Sequence, residues 1–415
     1  MTSFWHPFAA MGAVAGHELT ITRGEGVYVW DSEGNRYLDG TAGLWFTNIG
    51  YGRPEIAEAV QAQMAKIATY HTFGDYTHEP TTQLAERIAS LAPVPNSKVF
   101  FGSGGSDAVD TAGKLARRYF HEIGQPERTV FIFRDWAYHG MHGFGTSVAG
   151  LSPNREGYGP MIDDVVGVPY DSAEALQAAV DEIGAHRVAA LFSEPVIGAG
   201  GVRPVPETYL KESRRIIREA GALYIADEVI TGFGRAGDWF ASNRFSLEPD
   251  IVTFAKGVTS GYLPLGGVIA SPNVAAPFWA ADSPMWRHGY TYSGHATVCA
   301  AGLANLDIIE KEKLPQRALE LETVLTETLQ PLLELDAVTE IRSGVGLMAA
   351  IQFDPQLLAD DPNFAAKANA SVRDHGVLTR AIAGGGLQIS PPLVITEAEL
   401  DELVAGHRAG IEAAS

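Results

Sequence analysis

The sequence predicts an α/β chain, with a large domain on a mainly parallel sheet and a smaller α+β domain beside it. Three observations carry this. Short apolar runs recur through the middle of the chain, amphipathic stretches separate them, and the two ends follow other patterns. The runs are Lys98–Phe101, Thr129–Phe133, Val165–Val168, Val188–Phe192, Leu223–Ala226, Ile251–Phe254 and Gly267–Ala270. Several are apolar throughout, as suits strands buried on both faces of a parallel sheet.

Between the runs lie candidate helices. Pro54–Tyr70 carries Ile56, Val60, Met64 and Ile67 at helical spacing, with proline in its first turn. Glu207–Ala220 sets Leu210, Arg214 and Ile217 on one face, and Gly221 is a natural stop. Such alternation implies right-handed crossovers from about residue 50 to 275. Near the N-terminus, ELTITRGEGVYVWDSEGNRYLDG alternates as a hairpin that turns at Ser32–Gly34. After about residue 295 come long helices, then AVTEIRSGVGLMAAIQF as strands, then a helical tail from Glu397. The expected division is an N-terminal segment 1–50 packed on the small lobe, a large domain 51–290 and a small domain 291–415.

Composition narrows the function. The chain has 415 residues, 46% of them hydrophobic, enough for a large core. A net charge of -20 argues against nucleic acid or an anionic membrane surface as partner, while leaving room for a local positive site that holds a small anion. The single cysteine, Cys299, excludes an internal disulfide framework, and its apolar setting favours an inert thiol. MTSFWHPFAAMGAV lacks the basic start and apolar core of a signal peptide, and no run has membrane-spanning length. A cytoplasmic protein is the default expectation.

Two strand ends carry the chemistry. Lys256 follows the apolar run Ile251–Ala255 and precedes Gly257. Burial there lowers a lysine's pKa and frees a nucleophilic amine, the chemistry of a Schiff base. Taken alone, a lysine that snorkels to solvent is the commoner case. About thirty residues upstream, however, Asp227 ends the run in LYIADEVITGFGR. A carboxylate for the pyridine nitrogen of pyridoxal phosphate and a lysine for its aldehyde carbon are the two fixed points of such a site.

Other segments fit around these points. In KVFFGSGGSDAVDTAGKLARRY, a strand, a small-residue loop at Gly102–Ser106 and a helix from about Asp107 make an anion site, in which Ser106 either caps the helix or donates to a phosphate. The dinucleotide fingerprint fails, because Asp107 stands where its third glycine belongs, and the P-loop lysine is missing, so the anion is a single phosphate. In RDWAYHGMHGFG, Tyr138 can stack on a flat ring; core packing for Tyr138 and a satisfied His139 are the bland reading. His139, His142 and His295 lack the spacing and carboxylates of a metal site. Glu194 closes an apolar strand before Pro195, as an ordering carboxylate or a structural one. In RHGYTYSGHATVCAAG, Thr291 and Ser293 donate to a phosphate or cap the next helix. Arg380, in the glycine-rich GVLTRAIAGGGLQISPPLVIT, is either a bidentate carboxylate binder or a surface arginine.

Together these blocks resemble the class III aminotransferases, pyridoxal 5'-phosphate enzymes of fold type I, and most closely their ω-amino acid:pyruvate and (S)-selective amine:pyruvate group. The likeness spans nearly the whole chain through TRGEGVYVWDSEGNRYLDGTAGLWFTNIGYGR, ADEVITGFGRAG, the segment around Lys256, HGYTYSGH and ISPPLVIT. It implies that Lys256 is the Schiff-base lysine and proton shuttle, and that Asp227 keeps the pyridine nitrogen protonated. Val229 would pack beneath the ring and Tyr138 above it, with Glu194 near the ring hydroxyl. Gly105 and Ser106 would hold the phosphate, helped by Tyr290 and Thr291 from a partner subunit. Phe8, Trp45, Phe73, Tyr138 and Ala199 would line the substrate pocket, and Arg380 would turn in for a carboxylate and away for an apolar group.

The implied activity moves an amino group from an amine donor to a keto acid acceptor with ping-pong kinetics, in a homodimer or a tetramer built from it. The same fixed points would also serve an aminomutase, which needs no separate keto acid. The presence of both Lys256 and Asp227 argues against a cofactor-binding protein without turnover. The chain departs from the family at Gly104, where serine is usual, at Ala296, where proline is frequent, and at Ala236, where threonine is usual.

Overall fold

The computed structural model describes residues 3–415. Its centre is a seven-stranded sheet in the order Lys98–Gly102, Gly266–Ala270, Ile251–Phe254, Leu223–Asp227, Val188–Ser193, Val130–Arg134 and Val165–Val168. All seven expected strands are present, with ends shifted by a residue at most. Only Gly266–Ala270 runs antiparallel to its neighbours. The other six therefore end on one edge of the sheet. Val130–Arg134, Val188–Ser193, Leu223–Asp227 and Ile251–Phe254 are buried along their whole length, because helices cover both faces.

Helix Gly105–Glu122 lies on one face and buries Ala108, Val109, Ala112, Leu115, Ala116 and Phe120. It starts two residues before the position expected from sequence. Helix Glu207–Glu219 buries Tyr209, Leu210, Ile216 and Ile217, while Arg214 on its flank pairs with Asp250 at 3.0 Å. The first amphipathic stretch forms helix Pro54–Lys66 and stops four residues before Tyr70. Helix Ala296–Lys311 packs on it and on Glu79–Leu91. Cys299 on that helix is buried, and burial pushes its thiol up to about 12.

The ends form two smaller sheets. Ile21–Glu25, Tyr28–Asp31 and Arg36–Asp39 pair antiparallel in sequence, so the expected hairpin is a three-stranded meander with an additional turn at Gly26–Val27. Arg36–Asp39 then pairs in parallel with Val377–Leu378, which joins the N-terminal strands to the C-terminal region. The third sheet orders Val338–Arg342, Ala349–Phe353, Gly386–Ile389 and Ala381–Ile382, all antiparallel. Helix Glu397–Ala414 closes the chain, with a capping box between Thr396 and Glu399.

Candidate active site

A cavity of about 340 Å³ opens where the parallel strands end, the edge on which open α/β sheets bind ligands. Consecutive strand ends supply its walls. Gly105 and Ser106 come from the helix after Lys98–Gly102, Tyr138 and His139 from the loop after Val130–Arg134, and Glu194 from just past Val188–Ser193. Asp227 ends its strand, Val229 follows it, and Lys256 stands two residues beyond Phe254.

Lys256 holds a left-handed backbone, φ 48°. Phe8, Trp45 and Trp136, at φ 52°, 65° and 68°, share that uncommon conformation in or beside the same cavity. Each such residue costs roughly 1–3 kcal/mol, and this kind of strain gathers at functional sites. The turn after Lys256 is pinned by Asn305, whose amide donates to the carbonyls of Gly257 and Val258 at 2.9 Å. A Cβ on Gly257 would stand 2.5 Å from the Asn48 amide, so only glycine fits. Burial pulls the lysine pKa down to about 8, against the upward pull of Asp227 and Glu194. About a tenth of the amine is therefore neutral at pH 7, several hundredfold more than at the ordinary lysine value of 10.5.

Three donors converge on Asp227. Thr253, its register partner on the adjacent strand, donates its hydroxyl to Oδ1 at 2.8 Å, and the Val229 N–H donates to the same oxygen at 3.1 Å. His139 Nδ1 lies 2.6 Å from Oδ2. Since a carboxylate only accepts, His139 carries its proton on Nδ1, and its buried Nε2 has no hydrogen-bond partner. His139 is thus more than the satisfied core histidine of the bland reading; its one cue in the sequence is its place beside Tyr138 at a strand end. Thr253 shows only through strand register, and Leu44, Leu151, Asn154, Ile230 and Ile382 also line the cavity without any sequence signal.

Glu194 is buried, and its two oxygens accept the N–H groups of Tyr138 at 3.0 Å and Gly198 at 2.9 Å. It thereby fixes the loops that carry Tyr138 and Ala199, and burial raises its pKa. Across the cavity, the first turn of Gly105–Glu122 presents N–H groups that no acceptor within the helix can reach. Gly104, not Ser106, is the cap, and the Ser106 hydroxyl accepts from Met141 N at 3.1 Å. A Cβ on Gly105 would meet Val229 Cγ1 at 2.9 Å, so glycine lets the helix start pack directly against Val229.

Phe8, Trp45, Ala199 and Arg380 line the same cavity. Among the described residues Arg380 has no carboxylate partner; burial lowers its pKa, and Tyr138 partly opposes that shift. Phe73, Tyr290 and Thr291 lie outside this cavity. Phe73 packs near Gly289, the Tyr290 hydroxyl bonds Asp107 O and Thr111 at 3.2 Å, and Thr291 is exposed. Neither Thr291 nor Ser293 caps helix Ala296–Lys311, because His295 is the cap residue; Ser293 accepts from Tyr290 N instead.

Known proteins share this sequence pattern and this fold. The aminotransferase class-III family matches residues 11–408. The chain belongs to that family. A putrescine–pyruvate aminotransferase of Pseudomonas aeruginosa is 38% identical over 92% of this chain and 88% of that protein. A thermostable (S)-enantioselective omega-transaminase from Thermomicrobium roseum superposes with a TM-score of 0.94 at 39% identity, over 99% of this chain and 96% of that one. An amine transaminase from an uncultivated Pseudomonas species, in PLP-bound form, gives 0.93 at 38% identity over 100% and 99%.

Class-III aminotransferases depend on pyridoxal phosphate, and the fold is therefore that of PLP fold type I. The donor set fits the cofactor. A helix N-terminus stands ready for a phosphate, Tyr138 and Val229 both line the cavity, and a buried carboxylate and a lysine with depressed pKa share it.

Proposed function

We propose that this class-III aminotransferase transfers an amino group from an ω-amino acid or primary amine to a keto acid such as pyruvate, by a ping-pong mechanism, as a cytoplasmic homodimer. The observation that carries the substrate reading is Arg380: a cation with no carboxylate partner among the described residues, in the cavity that also holds Lys256, Asp227 and the apolar Phe8, Trp45 and Ala199. An apolar donor rests against Phe8, Trp45 and Ala199, while a carboxylated substrate meets the guanidinium.

Bound pyridoxal phosphate supplies an electrophilic carbon for the lysine and an electron sink for the deprotonated donor. Lys256 would hold the cofactor through its amine and, when free, would move the donor's proton as a base. Its depressed pKa makes the neutral form available for that step. Asp227, oriented by His139 and Thr253, would pair with the pyridine nitrogen. Tyr138 and Val229 would hold the ring. Glu194 orders the Tyr138 loop, and the helix start at Gly105–Ser106 would take the phosphate.

Tyr290 and Thr291 complete the phosphate site of a second copy. In support, Thr291 is exposed on a face rich in exposed apolar side chains, including Ile67, Tyr70, Phe73 and Tyr76. The same face is tied together by Thr72 and Thr81, whose hydroxyls donate to Ser293 O and Gly294 O.

An amine–acceptor panel on wild type and Arg380→Ala tests the reading. Arg380→Ala is expected to lose about one to two decades in kcat/KM with longer ω-amino acids or dicarboxylic keto acids, the worth of a charge-assisted pair, and to keep arylalkyl amines. Equal losses with charged and uncharged donors would make Arg380 structural. Turnover of an amino acid without any keto acid would favour the aminomutase.

A further inference from the structure

We propose that Arg203, which lies outside the cavity, is the positioning residue that sets how Arg380 meets a carboxylate. The inference rests on the reading of Arg380 just given. Arg380 precedes the hairpin formed by Ala381–Ile382 and Gly386–Ile389, and Arg380 to Ala383 line the cavity. The hairpin tip is Ala383–Gly384–Gly385, with φ 88° and 78° at the two glycines. Such a tip has almost no side chain with which to anchor itself. Its position must be set from outside.

Arg203 stands at that tip. Its guanidinium lies over the Trp136 ring, 4.1 Å from the centroid, and its Nε donates to Gly200 O at 3.0 Å. A Cβ on Gly384 would be 3.2 Å from its Nη2 and 3.6 Å from the Trp136 ring. One planar group thus stacks on one loop that walls the cavity, bonds a second and lies beside the third at Gly384. Trp136 is two residues from Tyr138, Gly200 adjoins Ala199, and Gly384 is four residues from Arg380.

A second chain of contacts closes the arrangement. Arg342 Nε donates to the carbonyls of Gly201 at 2.8 Å and Val202 at 3.1 Å, and its Nη2 donates to Gln352 Oε1 at 3.0 Å. Gln352 Nε2 in turn donates to Gly384 O at 2.7 Å and Gly385 O at 2.9 Å. Burial and the neighbouring Arg342 both work against the Arg203 charge. The guanidinium is kept there by shape: a flat fork that stacks and donates at once, which an ammonium does not reproduce.

The experiment is a double-mutant cycle on the holoenzyme with Arg203→Ala and Arg380→Ala. Two readouts are taken: single-turnover donor half-reactions with 4-aminobutanoate and with 1-phenylethylamine, and calorimetric binding of butanoate, an unreactive carboxylate. Arg203→Ala is expected to weaken butanoate binding and slow 4-aminobutanoate about tenfold, leave 1-phenylethylamine nearly unchanged, and add nothing in the Arg380→Ala background. Gln352→Ala should act in the same direction, and it carries the test if Arg203→Ala does not fold. Equal losses with both donors, or an undiminished loss in the Arg380→Ala background, overturn the proposal. If Arg380→Ala itself fails to separate the two donors, the carboxylate reading falls and takes this inference with it. If only Arg380→Ala separates them, the inference falls alone.

Discussion

His139 Nδ1 lies 2.6 Å from Asp227 Oδ2, and both side chains are buried against the strand ends. A buried imidazole that donates to this carboxylate fixes its direction, while Thr253 and Val229 N hold the other oxygen. His139→Ala is expected to lower kcat by roughly one to two decades, the range of a hydrogen bond to a charged group. His139→Asn, which keeps an N–H donor near the Nδ1 position, should fall between the two. A histidine of purely structural importance would lower the melting temperature in both variants without that graded loss in rate.

Lys256→Ala should abolish transamination while the protein remains folded; substantial activity in that variant would assign the Schiff base to another lysine. The pH dependence has a definite sign. A depressed lysine pKa means that the proton leaves earlier as pH rises, so the nucleophilic amine accumulates through about pH 8. Reconstitution of the apoenzyme with pyridoxal phosphate should accelerate through that range and level off above it. A midpoint near the ordinary lysine value of 10.5 would contradict the burial argument.

Gly104 offers a gain. Its backbone is extended, φ 179° and ψ -175°, which any residue adopts, and a Cβ there meets nothing within 4 Å. Gly104→Ser restores the hydroxyl that the family usually has at this point of the phosphate loop. Cofactor dissociation should slow, and the holoenzyme should melt at higher temperature with the apoenzyme little changed. A faster loss of cofactor from the variant would show that the added side chain obstructs the phosphate.

The exposed face around Phe73, Tyr76 and Thr291 should be covered by a second copy. Sedimentation at assay concentration is expected to give a dimer or a multiple of it, and Thr291→Ala should weaken cofactor retention. A fully active monomer would remove the partner's contribution.

Much of this was legible in the sequence. The seven strands of the central sheet announce themselves as apolar runs, because a strand covered on both faces has no polar side to display. Lys256, Asp227 and Glu194 are legible for the complementary reason: a charge at the end of such a run conflicts with burial unless it has a task. Helix ends were less certain. Helix Gly105–Glu122 starts earlier than expected because glycine and serine read as loop, although their backbone turns helical once the N–H groups face the cavity.

Only the tertiary structure decided the rest. The bond from His139 to Asp227 joins residues 88 apart, and the one from Thr253 depends on strand register. Arg203 meets Gly384 and Trp136 only after three loops converge on one edge of the sheet. Side chains declare their own conflict with water one at a time, which a sequence records; which neighbours resolve that conflict is set by the approach of distant segments, which local patterning does not contain.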